Sequence, residues 1–380
     1  MNTLLIILLV CSFFVPQQND PKFETQLIDA NVEIGYGLAV GDVDGDSKAD
    51  VLLADKKQFV WYRNGDWKRF VMIDNLTASD NVCIAARDIN GDGKVEVAVG
   101  AQWNPGETSD TSKSGSVHYL IRPTDPTQRW TPVKLYHEPT IHRMRWVKAS
   151  DNKFNLVVLP LHGKGNKNGE GVAVNVIAFD VPNDTRSSWK HSIIDNSMHL
   201  THNLDILSDG DSELIYIGGK EGIRVLAYNN GNWSAIAPGK LPGQGDPFGE
   251  IRVGGRSKNV AGIQPMHGNQ LVIYSGINNS SREVLSTELN QGHALAYDQI
   301  LPSGGEQIIV GWREPNAEKK TGIKIFIFHS NEKAWKDYWI DDNGIACEDL
   351  QIADLNGDGK KDIIAAGRAS HNLKIYWNKN

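Results

Sequence analysis

The chain has 380 residues, 40% of them apolar, with 37 glycines, 11 tryptophans, 3 cysteines and a formal net charge of −7. A modest acidic balance, without a basic run or basic–aromatic interleaving, excludes nucleic acid as the expected partner. No stretch carries a clear amphipathic helical period, and short apolar runs between Gly-rich turns recur, so an all-β chain is expected.

Residues 1–18 read as a signal peptide: a short polar start, then an apolar run of about a dozen residues, too short for a comfortable bilayer span. A secreted or periplasmic protein follows, with no integral membrane span once the signal is removed. Cys11 offers a lipid-attachment point, although the Leu-Leu-Val before it suits such processing poorly. Cys83 and Cys347 fall at matching places at the heads of two repeats and are expected as small buried residues rather than a disulfide.

Three stretches share one oxygen-rich loop pattern: Asp42, Asp44, Asp46, Asp50; Asp88, Asn90, Asp92, Glu96; and Asp354, Asn356, Asp358, Asp362. Each places oxygen ligands at positions 1, 3, 5 and 9 with Gly at position 4, which lets the loop turn sharply around a hard cation. An EF-hand would continue into a helix. Here Val51-Leu-Leu-Ala, Val97-Ala-Val-Gly and Ile363-Ile-Ala-Ala follow, so each loop joins two strands and structural Ca2+ is the expected cofactor.

The first such unit runs through four strand-sized segments, the last opening at Trp67, and that opening returns at Trp130, Trp189, Trp233 and Trp335. About seven units of roughly 40–60 residues make a seven-bladed β-propeller with four-stranded blades, one domain over 19–380. The last unit has three strands, and Phe23–Asp29 mimics the missing fourth, closing the ring from the N-terminus. The loop pattern and unit layout resemble the FG-GAP and VCBS repeat families.

In such a blade the calcium-type loops lie on one face, while strand-one entries and second-to-third connections lie on the other. Sorting by that rule collects His142, His162, His199, His202, His267, His293 and His371 on one face, with Trp103, Arg143, Asn203, Glu250, Arg252, Asn269, Trp312, Arg313, Glu348 and Arg368. Crowded imidazoles imply neutral rings, acidic partners or a bound divalent metal. No Gly-X-Ser-X-Gly elbow, His-Glu-X-X-His helix or phosphate loop occurs, which leaves proton abstraction or metal-assisted carbonyl polarisation.

The strings His137-Glu-Pro-Thr-Ile-His142-Arg-Met-Arg-Trp146, Pro160-Leu-His162-Gly, His199-Leu-Thr-His202-Asn203, Pro265-Met-His267-Gly-Asn-Gln270, Gly311-Trp-Arg313-Glu-Pro315 and Ala346-Cys-Glu348-Asp-Leu350 resemble the propeller domain of the aldos-2-ulose dehydratase family. The resemblance implies elimination from keto-sugars such as anhydrofructose. That family carries further domains after its propeller, including cupin folds, whereas this sequence ends at Asn380, so steps belonging to those domains are not implied here. With the histidine cluster it suggests His142, His202, His267, His293 and Glu348 as catalytic or metal-holding groups. Arg143, Arg313 and Arg368 would hold hydroxyls or an anionic group, Trp103 or Trp312 would form a wall, and His162, Asn203, Asn269 and His371 would complete a small-molecule or oligosaccharide site. A non-catalytic glycan-binding propeller and a uronate polysaccharide lyase remain the alternatives, and oligomeric state leaves no mark in the sequence.

Overall fold

The computed structural model describes residues 20–380 apart from 152, 237–242, 244, 276–280 and 303; the expected signal peptide and Cys11 lie outside the described residues. The described chain forms seven four-stranded antiparallel sheets and no helix. In order, the blades cover 37–74, 80–134, 141–195, 201–235, 251–286, 292–342 and 347–378. The seventh takes Phe23–Asp29 as its outer strand, with Phe23 opposite Asn378 and Leu27 opposite Lys374. The ends of the chain therefore meet inside one sheet, and the blade that opens the ring packs against the one that ends it.

Each blade is pressed between two neighbours, so its middle strands are apolar on both faces. Val51, Leu52, Leu53 and Ala54 are all 0% exposed, as are Ile363, Ile364, Ala365 and Ala366. The tryptophans before the outer strands are anchors of the same kind. The Trp130 and Trp189 indoles are buried, and their N–H groups donate over 3.0 Å to the carbonyls of Pro126 and Thr185, so no polar atom is stranded. Cys83 and Cys347 are buried free thiols.

Inner strands Gly37–Gly41, Asp80–Arg87, Ile141–Ser150, Thr201–Asp209, Ile251–Val253, Gly292–Asp298 and Cys347–Ala353 line the axis. The acidic loops connect the inner strand to the second strand in blades 1, 2 and 7, opposite the face where inner strands enter. Gly45, Gly91 and Gly357, the fourth residue of each loop, have φ of 87°, 80° and 74°, the left-handed conformation the spacing predicts.

One buried group in this framework sets an acid limit. His118, on the third strand of blade 2, is 7% exposed and its Nδ1 has no hydrogen-bond partner among the described residues. Burial, and then Lys134 and His137 nearby, pull its pKa from 6.5 down to about 4. The unfolded chain therefore binds more protons in that window, and stability falls as pH drops through it, by up to about 3 kcal/mol from this residue. His118→Phe should flatten the loss of stability between pH 7 and pH 4.5, measured by urea unfolding at both. An unchanged slope would show that this ring does not set the limit.

Candidate active site

The chemistry-bearing residues reach the axis through one backbone device. Ladder pairing skips a residue between Ile141 and Arg143, Thr201 and Asn203, Gly292 and Ala294, and Cys347 and Asp349. The skipped residues are His142, His202, His293 and Glu348. Each is the extra residue of a β-bulge at the head of an inner strand, which turns its side chain out of the alternation and into the mouth of the ring. Blade 2 has the same irregularity with Val82 in that place. Blade 5 lacks it and supplies His267 instead, from its second-to-third connection, at φ 52°. Gly249 makes room for that loop, since a Cβ there would come within 2.9 Å of the Met266 backbone.

The four rings converge. Ring centres lie 4.6 Å apart for His142 and His202, 4.8 Å for His202 and His267, and 5.0 Å for His267 and His293. Hydrogen bonds to the next blade fix three tautomers. Nδ1 lies 2.7 Å from the His202 carbonyl in His142, 3.0 Å from that of Gly249 in His202, and 2.6 Å from that of Glu348 in His293. A carbonyl oxygen can only accept, so each Nδ1 carries the hydrogen and each Nε2 presents a lone pair. The His202 and His267 Nε2 atoms are 2.9 Å apart, and His202, His267 and His293 each bring a ring nitrogen within 4.8 Å of the others. His142 is set apart by Arg143, whose guanidinium approaches its Nε2 at 3.3 Å.

Electrostatics keep these rings neutral. Burial is the first cause in all four; Arg143, Arg313 or neighbouring imidazoles add to it in His142, His267 and His293, whereas in His202 Glu250 opposes it in part, and His267 is driven to about 2. Glu250 lies behind His202, 3.2 Å from its Nδ1 and 1% exposed. Burial alone would push its carboxyl up, but His202, Arg252 and Arg143 hold it low, at about 2. Asn203 also donates to it. Sequence reasoning put Glu250 on this face without giving it a role; its place makes it a positioning residue for the His202 ring.

The other expected site residues divide. Trp103 stands 5.1 Å from the His142 ring and is half-buried at the mouth. Glu348, 1% exposed, sits between two guanidiniums, 3.2 Å from Arg313 and 3.2 Å from Arg368. Arg313 also donates to Gln291, and Arg143 donates to the His142 carbonyl. Asn203 is buried, its amide shared between Glu250 and the Leu204 N–H. His162 is half-buried in the blade 3 connection beside Leu200, Asn269 is exposed and donates to Thr287, and His371 reaches the Val32 carbonyl at 2.9 Å; among the described residues none of the three hydrogen-bonds to the four rings. Trp312 requires a correction. It is 1% exposed, packs on Trp339 and donates its indole N–H to Lys320, so it belongs to the core and cannot stack on a ligand.

Asp42, Asp44 and Asp50 bring carboxylate oxygens within 4.8 Å of one another, whereas Asp46 pairs with Lys48 at 3.3 Å. In all three loops the first aspartate accepts N–H groups of its own loop: Asp42 from Gly45 and Ser47, Asp88 from Gly91 and Gly93, Asp354 from Gly357 and Gly359. Asn90 and Asn356 each receive the N–H two residues on, from Asp92 and Asp358. The ninth residue is a buried pin: Asp50 receives Val43 and Asn64, Glu96 receives Ile89, and Asp362 receives Leu355 and Asn378.

Residues 114–276, which include His142, His202 and His267, match the family model of the aldos-2-ulose dehydratase β-propeller domain. The chain resembles that propeller. FG-GAP-like and FG-GAP repeat models match residues 42–99 and 84–120, which carry two of the acidic loops. The aldos-2-ulose dehydratase of Phanerodontia chrysosporium is 23% identical over 260 residues, 64% of this chain but 28% of that protein. The matched region is thus well under half of the relative's length. Two solved structures share the architecture alone: a chain of a mitotic checkpoint complex (TM-score 0.58, 10% identity, all of both chains) and BBS1N crystallised with ARL6DN (TM-score 0.55, 14% identity, 94% and 96% of the two chains).

Proposed function

We propose that the chain is an exported carbohydrate-active lyase that eliminates water or an alcohol from a keto-sugar, with a divalent metal held by His202, His267 and His293. What carries the reading is the set of Nδ1–H bonds to backbone carbonyls, which leaves lone pairs on Nε2 of buried, neutral rings. Imidazole ligands of metals are usually oriented in this way. The donor set therefore fits a borderline divalent ion better than a hard one. Such an ion supplies positive charge at the keto oxygen and offsets the charge left by proton loss.

The remaining groups have separable tasks. His142 lies outside the triad, its Nε2 lone pair facing the Arg143 guanidinium, and we assign it to take the proton from the carbon beside the carbonyl. Trp103 offers a flat face to the sugar ring. Glu348 fixes Arg313 and Arg368, whose N–H groups we assign to the departing oxygen; the proton taken by His142 leaves with that oxygen as water or an alcohol. Arg313 and Arg368 both pair with the Glu348 carboxylate, which offsets their charge and favours a neutral keto-sugar over a uronate. A purely glycan-binding propeller has no use for four neutral imidazoles packed together. We assign structural Ca2+ to the three acidic loops, where aligned oxygens and left-handed glycines recur.

The test is ultraviolet absorbance of the mature protein with 1,5-anhydrofructose and 3-keto-glycosides. An enone band that grows, is lost on metal removal and returns on metal addition supports the lyase. A flat trace on every keto-sugar with metal present would move the function to uronates or to binding alone.

A further inference from the structure

At the other end of the axis, on the acidic-loop face, the inner strands of blades 3 to 7 enclose a cavity of about 370 Å3. Its wall includes Arg145, Asp205, Ser208, Arg252, Tyr297 and Asp298. Arg252 is buried and Arg145 half-buried. Arg145 has one hydrogen bond within the described protein, to the Met144 carbonyl at 3.2 Å. Arg252, 8% exposed, donates to the Ile251 carbonyl and lies 3.5 Å from Glu250. A guanidinium has five N–H donors, so most of theirs are unspent.

Among the described residues, Asp205, Asp349 and Asp298 make no hydrogen bond or ion pair with either guanidinium. Asp205 accepts the Val253 amide at 2.8 Å, Asp349 accepts the Leu38 and Leu350 amides, and Asp298 is taken by Lys361. Burial pushes the Arg145 guanidinium down, and Arg252 adds to this, offset only in part through space by Asp349 and Asp205. Two guanidiniums that each keep N–H groups to spare, in a cavity large enough for a small molecule, are what a planar or tetrahedral oxyanion needs.

We infer that this cavity is a second binding site, separate from the histidine cluster, for a small oxyanion held by Arg145 and Arg252. Carboxylates and phosphates share that chemistry, so both serve as probes. Calorimetric titration of the calcium-loaded full chain with malonate and with inorganic phosphate, at constant ionic strength, should give saturable heat with at least one; which of them binds identifies the source. Arg145→Gln should weaken it about tenfold or more, the scale of one lost charge-assisted hydrogen bond. Ser208→Glu, at the exposed edge of the cavity, should weaken it by repulsion without disturbing a buried contact, and it serves if Arg145→Gln fails to fold. His267→Ala should leave it intact. Keto-sugar turnover should be unchanged in Ser208→Glu, which separates this site from the lyase reading. No saturable heat with either anion, equal heat in Arg145→Gln and Ser208→Glu, or loss of heat in His267→Ala alone would overturn the inference.

Discussion

His267→Ala is expected to lose turnover by at least about a thousandfold while the protein stays folded. The magnitude follows from the several kcal/mol of transition-state charge stabilisation that a bound metal contributes. His267 lies on a loop at the mouth and its Nε2 closes the triad, so its removal leaves two imidazoles and no metal centre. Stability should hold or rise, because a half-buried imidazole crowded by His202 and Arg313 is removed from the mouth, where its contacts are with the His202 and His293 rings and not with the blade cores. Turnover with metal added in excess and the melting temperature read the two effects separately. Full activity in this variant would remove His267 from the site, and loss of folding would make it structural.

The second large effect is on stability. Chelating calcium should lower the melting temperature by on the order of 5–10 °C, since binding at three sites in a hundredfold excess of free calcium contributes about 3 kcal/mol each. Asp50 is the residue most exposed to the change: burial pushes its carboxyl up to about 7, a cost that a cation between Asp42, Asp44 and Asp50 removes. Asp42→Asn should reproduce part of the shift and leave keto-sugar turnover per folded molecule intact. Thermal melts with calcium and with chelator check this, and identical melts would reduce the loops to hydrogen-bonded turns.

Much of this architecture was legible because the repeat writes itself in polar punctuation. Asp-X-Asx-Gly-Asp loops, a tryptophan at the start of five outer strands and Phe23–Asp29 as a displaced strand are local patterns, and they led to seven blades and the ring closure. The face that carries the histidines also followed, because strand order decides which connections share an end. Side-chain direction did not. Nothing in Ile-His-Arg, Thr-His-Asn, Gly-His-Ala or Cys-Glu-Asp announces that the middle residue is a bulge, yet that bulge aims four groups at the axis. Trp103 and Trp312 end equivalent strands and read alike, but Trp339 covers the second and buries it. Glu250 was overlooked because its importance lies in the ring behind which it sits, a contact between blades 4 and 5.

The proposed chemistry needs His202, His267 and His293 to hold a metal. X-ray absorption at the edge of whatever metal the purified, calcium-equilibrated protein retains reads this. A divalent transition metal with three imidazole nitrogens at about 2.0–2.1 Å, lost in His202→Ala, is expected. A protein with no such metal after incubation with zinc and manganese, or one whose metal has only oxygen neighbours, would contradict it.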